Sequence, residues 1–316
     1  MRTGELLLLL CLTFANCQSA IGQRANMDER RALPFLPQEQ LVYEGEFSKL
    51  ILRNINIAEF RFAARFDDAP PPAINTREAA NPPSKCQRAP GLLRLTGEAR
   101  ADGWFHKLFG INFRYRIESK VDPESFAVLE TRRYDEQGSR VRVDCAVFDR
   151  QRDQVTWIEK DPKHPAQRPN TITSQIGDAL YDILSAIYVL RTKPLAPGAQ
   201  FEMIISDAGH PYHVPVKVAE IKRLKTILGE VETVRLEVGI FGENGLVRRD
   251  GRMSLWMTTD PKRIPVRAEL SSDLGTLSIK LKRISYDPQA VAAEVQGSPV
   301  ECMGAESDSA AARLKD

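Results

Sequence analysis

The sequence predicts a mainly β (α+β) fold: a strongly curved antiparallel sheet or open barrel packed around one principal helix. Three observations carry this reading. Short runs with apolar residues at every second position recur along most of the chain, the signature of strands with one buried face. Glycines and prolines fall between these runs where turns need them, and no regular alternation of strand and helix suggests βαβ units. One stretch alone, residues 178–198, has convincing helical periodicity.

The 316-residue chain opens with Arg2, the apolar run 6–14 and a small-residue region ending at Ala20. That pattern is a secretory signal peptide over residues 1–20, too short to span a bilayer, so the mature chain is expected to be exported with no transmembrane span. Cys17 offers a second processing route as a lipidated first residue, but Phe14 and Asn16 fit a lipoprotein site poorly, so plain secretion is preferred. Residues 1–23 carry no net charge and 287–316 carry six acids against two bases, which leaves 24–286 at +6. The cations are interspersed with acids, so nucleic acid is not an expected partner.

A single β-rich domain is expected over 39–286. It begins at Leu41 to Phe47 and continues in the alternation Ala58, Phe60, Phe62, Ala64, Phe66, whose other face carries Glu59, Arg61 and Arg65. A Pro-rich loop insertion interrupts it at 67–91. Alternation resumes at Leu93, Leu95, Gly97, Ala99 and again at Ile111, Phe113, Tyr115, Ile117. The aromatic connection 104–109 between them is read as folded over the core. Further strands are expected at 126–134, 141–148 and 155–158, with Gln137-Gly138 as a hairpin turn, and a second Pro-rich loop at 160–170. After the helix come strands at 201–206, 212–218, 234–240, 253–257, 264–270 and 277–281. Residues 287–316 read as a disordered acidic tail.

On a helical wheel Ile176, Ala179, Leu180, Ile183, Leu184, Ala186, Ile187, Tyr188 and Leu190 fill an arc of roughly 200°. So wide an arc must be covered by the sheet. Thr173 or Ser174 is placed to cap the start, Arg191 and Lys193 suit the negative C-terminal end, and Pro194 and Pro197-Gly198 stop the helix.

Little in the chain speaks for chemistry. No catalytic motif, phosphate-cradling loop or zinc-spaced cysteine pair is present, so no enzyme activity, cofactor, metal site or catalytic residue is expected. His210 and His213 on a strand point to opposite faces. Asp182 and Ser185 share a helix face, and capping or a hydrogen bond to a neighbouring strand explains them better than a nucleophile without a base. Arg191, beside Tyr188 at the end of a buried helix, needs an acid or carbonyl partner and is otherwise a head-group contact. Cys86, Cys145 and Cys302 remain in the mature chain; three unpaired thiols is the preferred reading, a Cys86–Cys145 bridge the alternative.

The run 182–191 (DILSAIYVLR), followed by Pro194-Leu195, Gly198 and Phe201, resembles the bacterial exported family known as domain of unknown function 3108. The segments 256–260 and 263–266 and the opening 39–43 are similar to its other recurrent elements. The resemblance implies a periplasmic or envelope-associated β-rich protein and transfers no activity. More loosely, a curved sheet with a helix on its concave face is similar to lipoprotein carriers of the bacterial envelope, an analogy of architecture alone.

The leading expectation is an exported envelope protein, not an enzyme, that binds a lipid or other hydrophobic small molecule in a groove between sheet and helix. Leu180, Leu184, Ile187, Tyr188, Arg191 and Trp256 are the candidate ligand-binding residues. The alternative is a structural or protein-interaction module of the periplasm with a solid core, its partners other envelope proteins.

Overall fold

The computed structural model describes residues 33–35, 38–50, 52–66, 91–101, 112–177 and 181–286. Pro34–Asp316 form one unit and Met1–Leu33 another, of which only Leu33 is described. The expected signal peptide at 1–20, residues 67–90, the aromatic segment 104–109, residues 178–180 and the expected tail 287–316 therefore lie outside the described residues.

Eight strands precede the helix: β1 (Glu39–Lys49), β2 (Leu52–Phe66), β3 (Leu93–Ala101), β4 (Phe113–Val121), β5 (Val128–Gln137), β6 (Arg140–Asp149), β7 (Gln154–Lys160) and β8 (Asn170–Gln175). The helix α1 is Ile183–Leu190, and six strands follow: β9 (Gln200–Asp207), β10 (His210–Thr226), β11 (Gly229–Val238), β12 (Gly251–Thr258), β13 (Pro265–Ser272) and β14 (Gly275–Ser285). They form one antiparallel sheet of 14 strands in the order β8-β7-β6-β5-β4-β3-β2-β1-β14-β13-β12-β11-β10-β9. Each half is a meander, and the halves join where β1 pairs with β14, from Gln40 opposite Ser285 to Ser48 opposite Thr276.

The sheet is open, because its edge strands β8 and β9 do not pair with each other. It nevertheless curls until the two edges touch. The Ser174 hydroxyl on β8 donates to the carbonyl of Gly209 in the β9–β10 turn. Gly209 has φ +77, and a Cβ there would lie 3.1 Å from the Trp157 Cβ and 3.2 Å from the Ile172 Cγ2. Both the backbone angle and the closeness of β7 and β8 require glycine.

On many strands the side chains facing away from the core are charged and paired across strands, as in Arg94 with Glu118, Lys120 with Glu130, and Lys280 with Glu46. This absorbs the cations that the sequence intersperses with acids. Such pairs are partly exposed and each contributes little stability.

The helix is shorter than the sequence predicts and starts later. Its N-cap is Asp182: the carboxylate accepts from the Ser185 backbone N–H at 2.7 Å, and the Ser185 hydroxyl accepts from the Asp182 N–H at 3.0 Å. This reciprocal capping box satisfies two donors that the first turn leaves open. The expected caps Thr173 and Ser174 lie instead in β8. Among the helix neighbours are β3, β4 and β9. On β3 the approach is close: a Cβ on Gly97 would sit 3.3 Å from Leu184 Cδ1 and 3.0 Å from Ile117 Cγ2.

Cys145 on β6 is disulfide-bonded. This corrects the expectation of three unpaired thiols.

Candidate ligand cavity

Two buried polar clusters hold α1, and between them lies an apolar cavity. At the N-terminal end Asp182 is 3% exposed and accepts hydrogen bonds from Ser119 of β4 at 2.5 Å and Thr131 of β5 at 2.6 Å, besides its cap. The carboxylate thus fixes the helix start to two strands at once. Capping and strand bonding, the two roles expected of it, coincide in one side chain.

At the C-terminal end Arg191 is 2% exposed. Its guanidinium pairs with Glu39 of β1, with Nη1 at 2.5 Å and Nη2 at 3.2 Å from the two carboxylate oxygens. Nε and Nη2 also donate to the Lys262 carbonyl, and Nη2 donates to that of Pro34. The charge lies 5.3 Å from the Phe35 ring centroid and 5.8 Å from that of Tyr188. Each nitrogen has an acceptor, as a buried guanidinium requires. This is the salt bridge and carbonyl cap expected of Arg191.

The cavity has a volume of about 350 Å³ and lies between α1 and strands β1, β2 and β9–β14. Its wall is almost wholly aliphatic and aromatic, including Leu41, Ile187, Met203, Val216, Leu255 and Ile279. The charged residues that reach it each have a partner, although the buried Arg267 Nε has no hydrogen-bond acceptor among the described residues. Arg191 is paired as described, Asp207 is paired with Arg133 of β5, and Arg267 bonds Glu269 and stacks on Trp256 with its charge 5.2 Å from the ring centroid.

Two tyrosines in the wall differ in an instructive way. Tyr43 donates its hydroxyl to the Pro265 carbonyl at 2.8 Å, whereas the Tyr188 hydroxyl is buried with no hydrogen-bond partner among the described residues. Burial pushes both phenols far above their ordinary range; for Tyr188 the nearby Glu39 adds to the effect while Arg191 opposes it. Tyr188→Phe should therefore leave stability unchanged or raise it by up to about 1 kcal/mol, while Tyr43→Phe should cost about 1 kcal/mol. Urea unfolding of the two variants checks this, and a greater loss for Tyr188→Phe would contradict it.

Beside the helix start a third polar cluster ties β5 and β6 to the edge strand β9. Arg133 Nε donates to both Asp144 oxygens, at 2.8 and 3.0 Å, and Nη1 bonds Asp207. Trp157 Nε1 donates to Asp144 at 3.0 Å. Burial opposes charge on Arg133, but Asp207 and Asp144 outweigh it and hold the guanidinium more firmly protonated than usual. Burial raises Asp144 above the usual carboxylate range despite Arg133, and pushes Tyr115 up to about 12. The cluster lines a void of about 10 Å³, the size of one water molecule.

Of the six candidate ligand residues, Ile187, Tyr188 and Arg191 line the cavity. Leu184 faces β3 at Gly97, and Leu180 lies outside the described residues. Trp256 follows the cavity-lining Leu255 and lines a separate, more open groove with Lys217, Glu220 and Arg235. The sequence reading missed Glu39, Asp207, Arg133 and the segment 239–250, which contributes Ile240, Leu246 and Val247 to the wall. The apolar residues between glycines in that segment were the available signal.

His213 is exposed and bonds Glu202 at 2.7 Å, and His210 is exposed on the same strand. Among the described residues no three His, Cys, Asp or Glu side chains converge as metal ligands. Among the same residues no helix is long and apolar enough to cross a membrane, which says nothing of a β-barrel.

Comparison with known proteins adds a family and distant structural likenesses. No curated protein sequence matches the chain. A beta-barrel-like protein of domain of unknown function DUF1849 from Brucella abortus is similar over 79% of this chain and 98% of its own, with 10% identity and a TM-score of 0.47. A "putative lipoprotein" from Parabacteroides distasonis is similar over 80% of this chain and 98% of its own, with 9% identity and a TM-score of 0.29. Residues 85–282, spanning β3 to β14 and the helix, match the family model described as Protein of unknown function (DUF3108), and the chain belongs to that family.

Proposed function

We propose that this protein is an exported, envelope-located carrier or sensor of a hydrophobic molecule, not an enzyme, and that the curved sheet wraps α1 to enclose the binding site. The observation that carries the proposal is the 350 Å³ apolar cavity between helix and sheet. Interiors normally pack to the density of organic crystals, and an unfilled apolar volume of this size forfeits dispersion contacts along its whole wall. The volume falls at the lower end of the range for small-molecule sites, which are mostly apolar and largely preformed. Transfer of a hydrocarbon into it removes apolar surface from water on both sides.

The reading is tested by native mass spectrometry and organic extraction of protein purified without detergent. One hydrophobic molecule per chain, released by solvent, is the expected result. Consistent absence of bound lipid, together with failure to take up an added hydrophobic probe, would overturn it.

A further inference from the structure

The two ends of the cavity differ, and the difference specifies how a ligand must lie. At one end Leu41, Tyr43, Tyr188 and Arg191 are each at most 5% exposed. This end is floored by the Arg191–Glu39 pair and the carbonyls of Pro34 and Lys262. At the other end Val238, Ile240, Leu246, Val247, Met253 and Leu270 are only half-buried. The strand register separates the two sets: Leu41 lies opposite Ile284 near the end of β14, whereas Leu270 lies opposite Leu277 near its start.

The half-buried end is roofed by the segment 239–250. Several of its hydrogen bonds close on the segment itself: Val247 N–H donates to Ile240 O at 2.9 Å, and Gly242 N–H to Arg249 O at 3.0 Å. Arg248 and Arg249 follow Val247 directly and are exposed. The mouth therefore passes within three residues from aliphatic wall to solvent-facing cations.

Resting on the ligand reading above, we infer that the cavity takes the aliphatic chain of an amphiphile tail-first, with the polar head held at the 239–250 segment. A charged head carried to the closed end would meet no free counter-charge, because Arg191 is already paired with Glu39 and bonded to two carbonyls, and an unpaired buried charge is strongly disfavoured. At the mouth the head keeps its hydration. The geometry thus selects a ligand with one long hydrocarbon chain and excludes one whose polar groups are distributed along its length.

Stearic acid carrying a nitroxide at C5 or at C16 tests the orientation, read by line broadening in the methyl spectrum of the protein. The C16 label should bleach the methyls of Leu41 and Leu190 at the closed end, and the C5 label those of Ile240 and Met253 at the mouth. The reverse pattern, or equal broadening of both sets by both labels, overturns the tail-first orientation while leaving a hydrophobic site intact. If neither label broadens any cavity methyl, the site itself is refuted along with the orientation.

Discussion

Arg191→Met should destabilise the protein by about 3–5 kcal/mol, because it leaves the Glu39 carboxylate buried without its partner. Glu39 and Arg191 side chains are each 1% exposed, so solvent cannot take over the lost interaction. In a protein of this size the loss lowers the unfolding midpoint by on the order of 10 °C. The double variant Glu39→Leu with Arg191→Met should recover a large part of the loss, since two apolar side chains can replace a buried pair. Recovery should stop short of completion, because the carbonyls of Lys262 and Pro34 lose their donor. Urea unfolding of the four-member cycle checks this. A single-variant loss below about 1 kcal/mol, or a double variant as unstable as Arg191→Met, would show that the pair does not lock the helix end.

At the opposite end of α1, Asp182→Ala should cost about 3 kcal/mol or more. The N-cap alone accounts for about 1 kcal/mol. Loss of the carboxylate also strands the buried hydroxyls of Ser119 and Thr131, each at about 1–3 kcal/mol if it finds no other acceptor. Asp182→Asn retains an acceptor for the cap and should cost about half as much. Amide exchange at Ser185 and Ala186 should speed up in the alanine variant before global unfolding, since the first turn loses its cap. A loss under about 1 kcal/mol would mean that the helix start is held by apolar packing alone.

Much of this architecture could be read from residue patterns, and the omissions have physical causes. Alternation identified strands wherever one face is buried, as in β2 and β4, because there the period of two is written in residue type. It failed for β8, whose sequence Asn170–Gln175 is largely exposed at a sheet edge and carries no apolar face to alternate. It also ended β10 too early. Beyond Val218 the strand continues to Thr226 as a largely exposed ribbon with β11, so Lys222, Arg223 and Lys225 concealed it. The predicted helix was too long at its start because apolar spacing alone extends through Ile176, whereas the capping box at Asp182 sets the boundary.

The site was legible on its helix side only. The wheel gives Ile187 and Tyr188, and the demand of a buried guanidinium for a partner gives the kind of residue that must face Arg191. It cannot say that the partner is Glu39, 152 positions away. Trp256, a candidate ligand residue, packs against the cluster of Leu41 and Tyr43 but is not part of the cavity wall and lines the neighbouring groove instead. Asp207 and Arg133, on β9 and β5, come together only because the sheet curls.

The central claim, that the space between helix and sheet binds a hydrophobic molecule, is tested most directly by titrating delipidated protein with N-phenyl-1-naphthylamine. Wild type should give saturable binding of one probe per chain with the emission shift of an apolar site. Ile187→Trp, which fills the cavity from α1, should weaken binding at least tenfold while its unfolding midpoint stays within a few degrees of wild type. Absence of saturable binding to wild type, or equal binding to a folded Ile187→Trp, would contradict the claim and return the protein to the reading of a solid structural module.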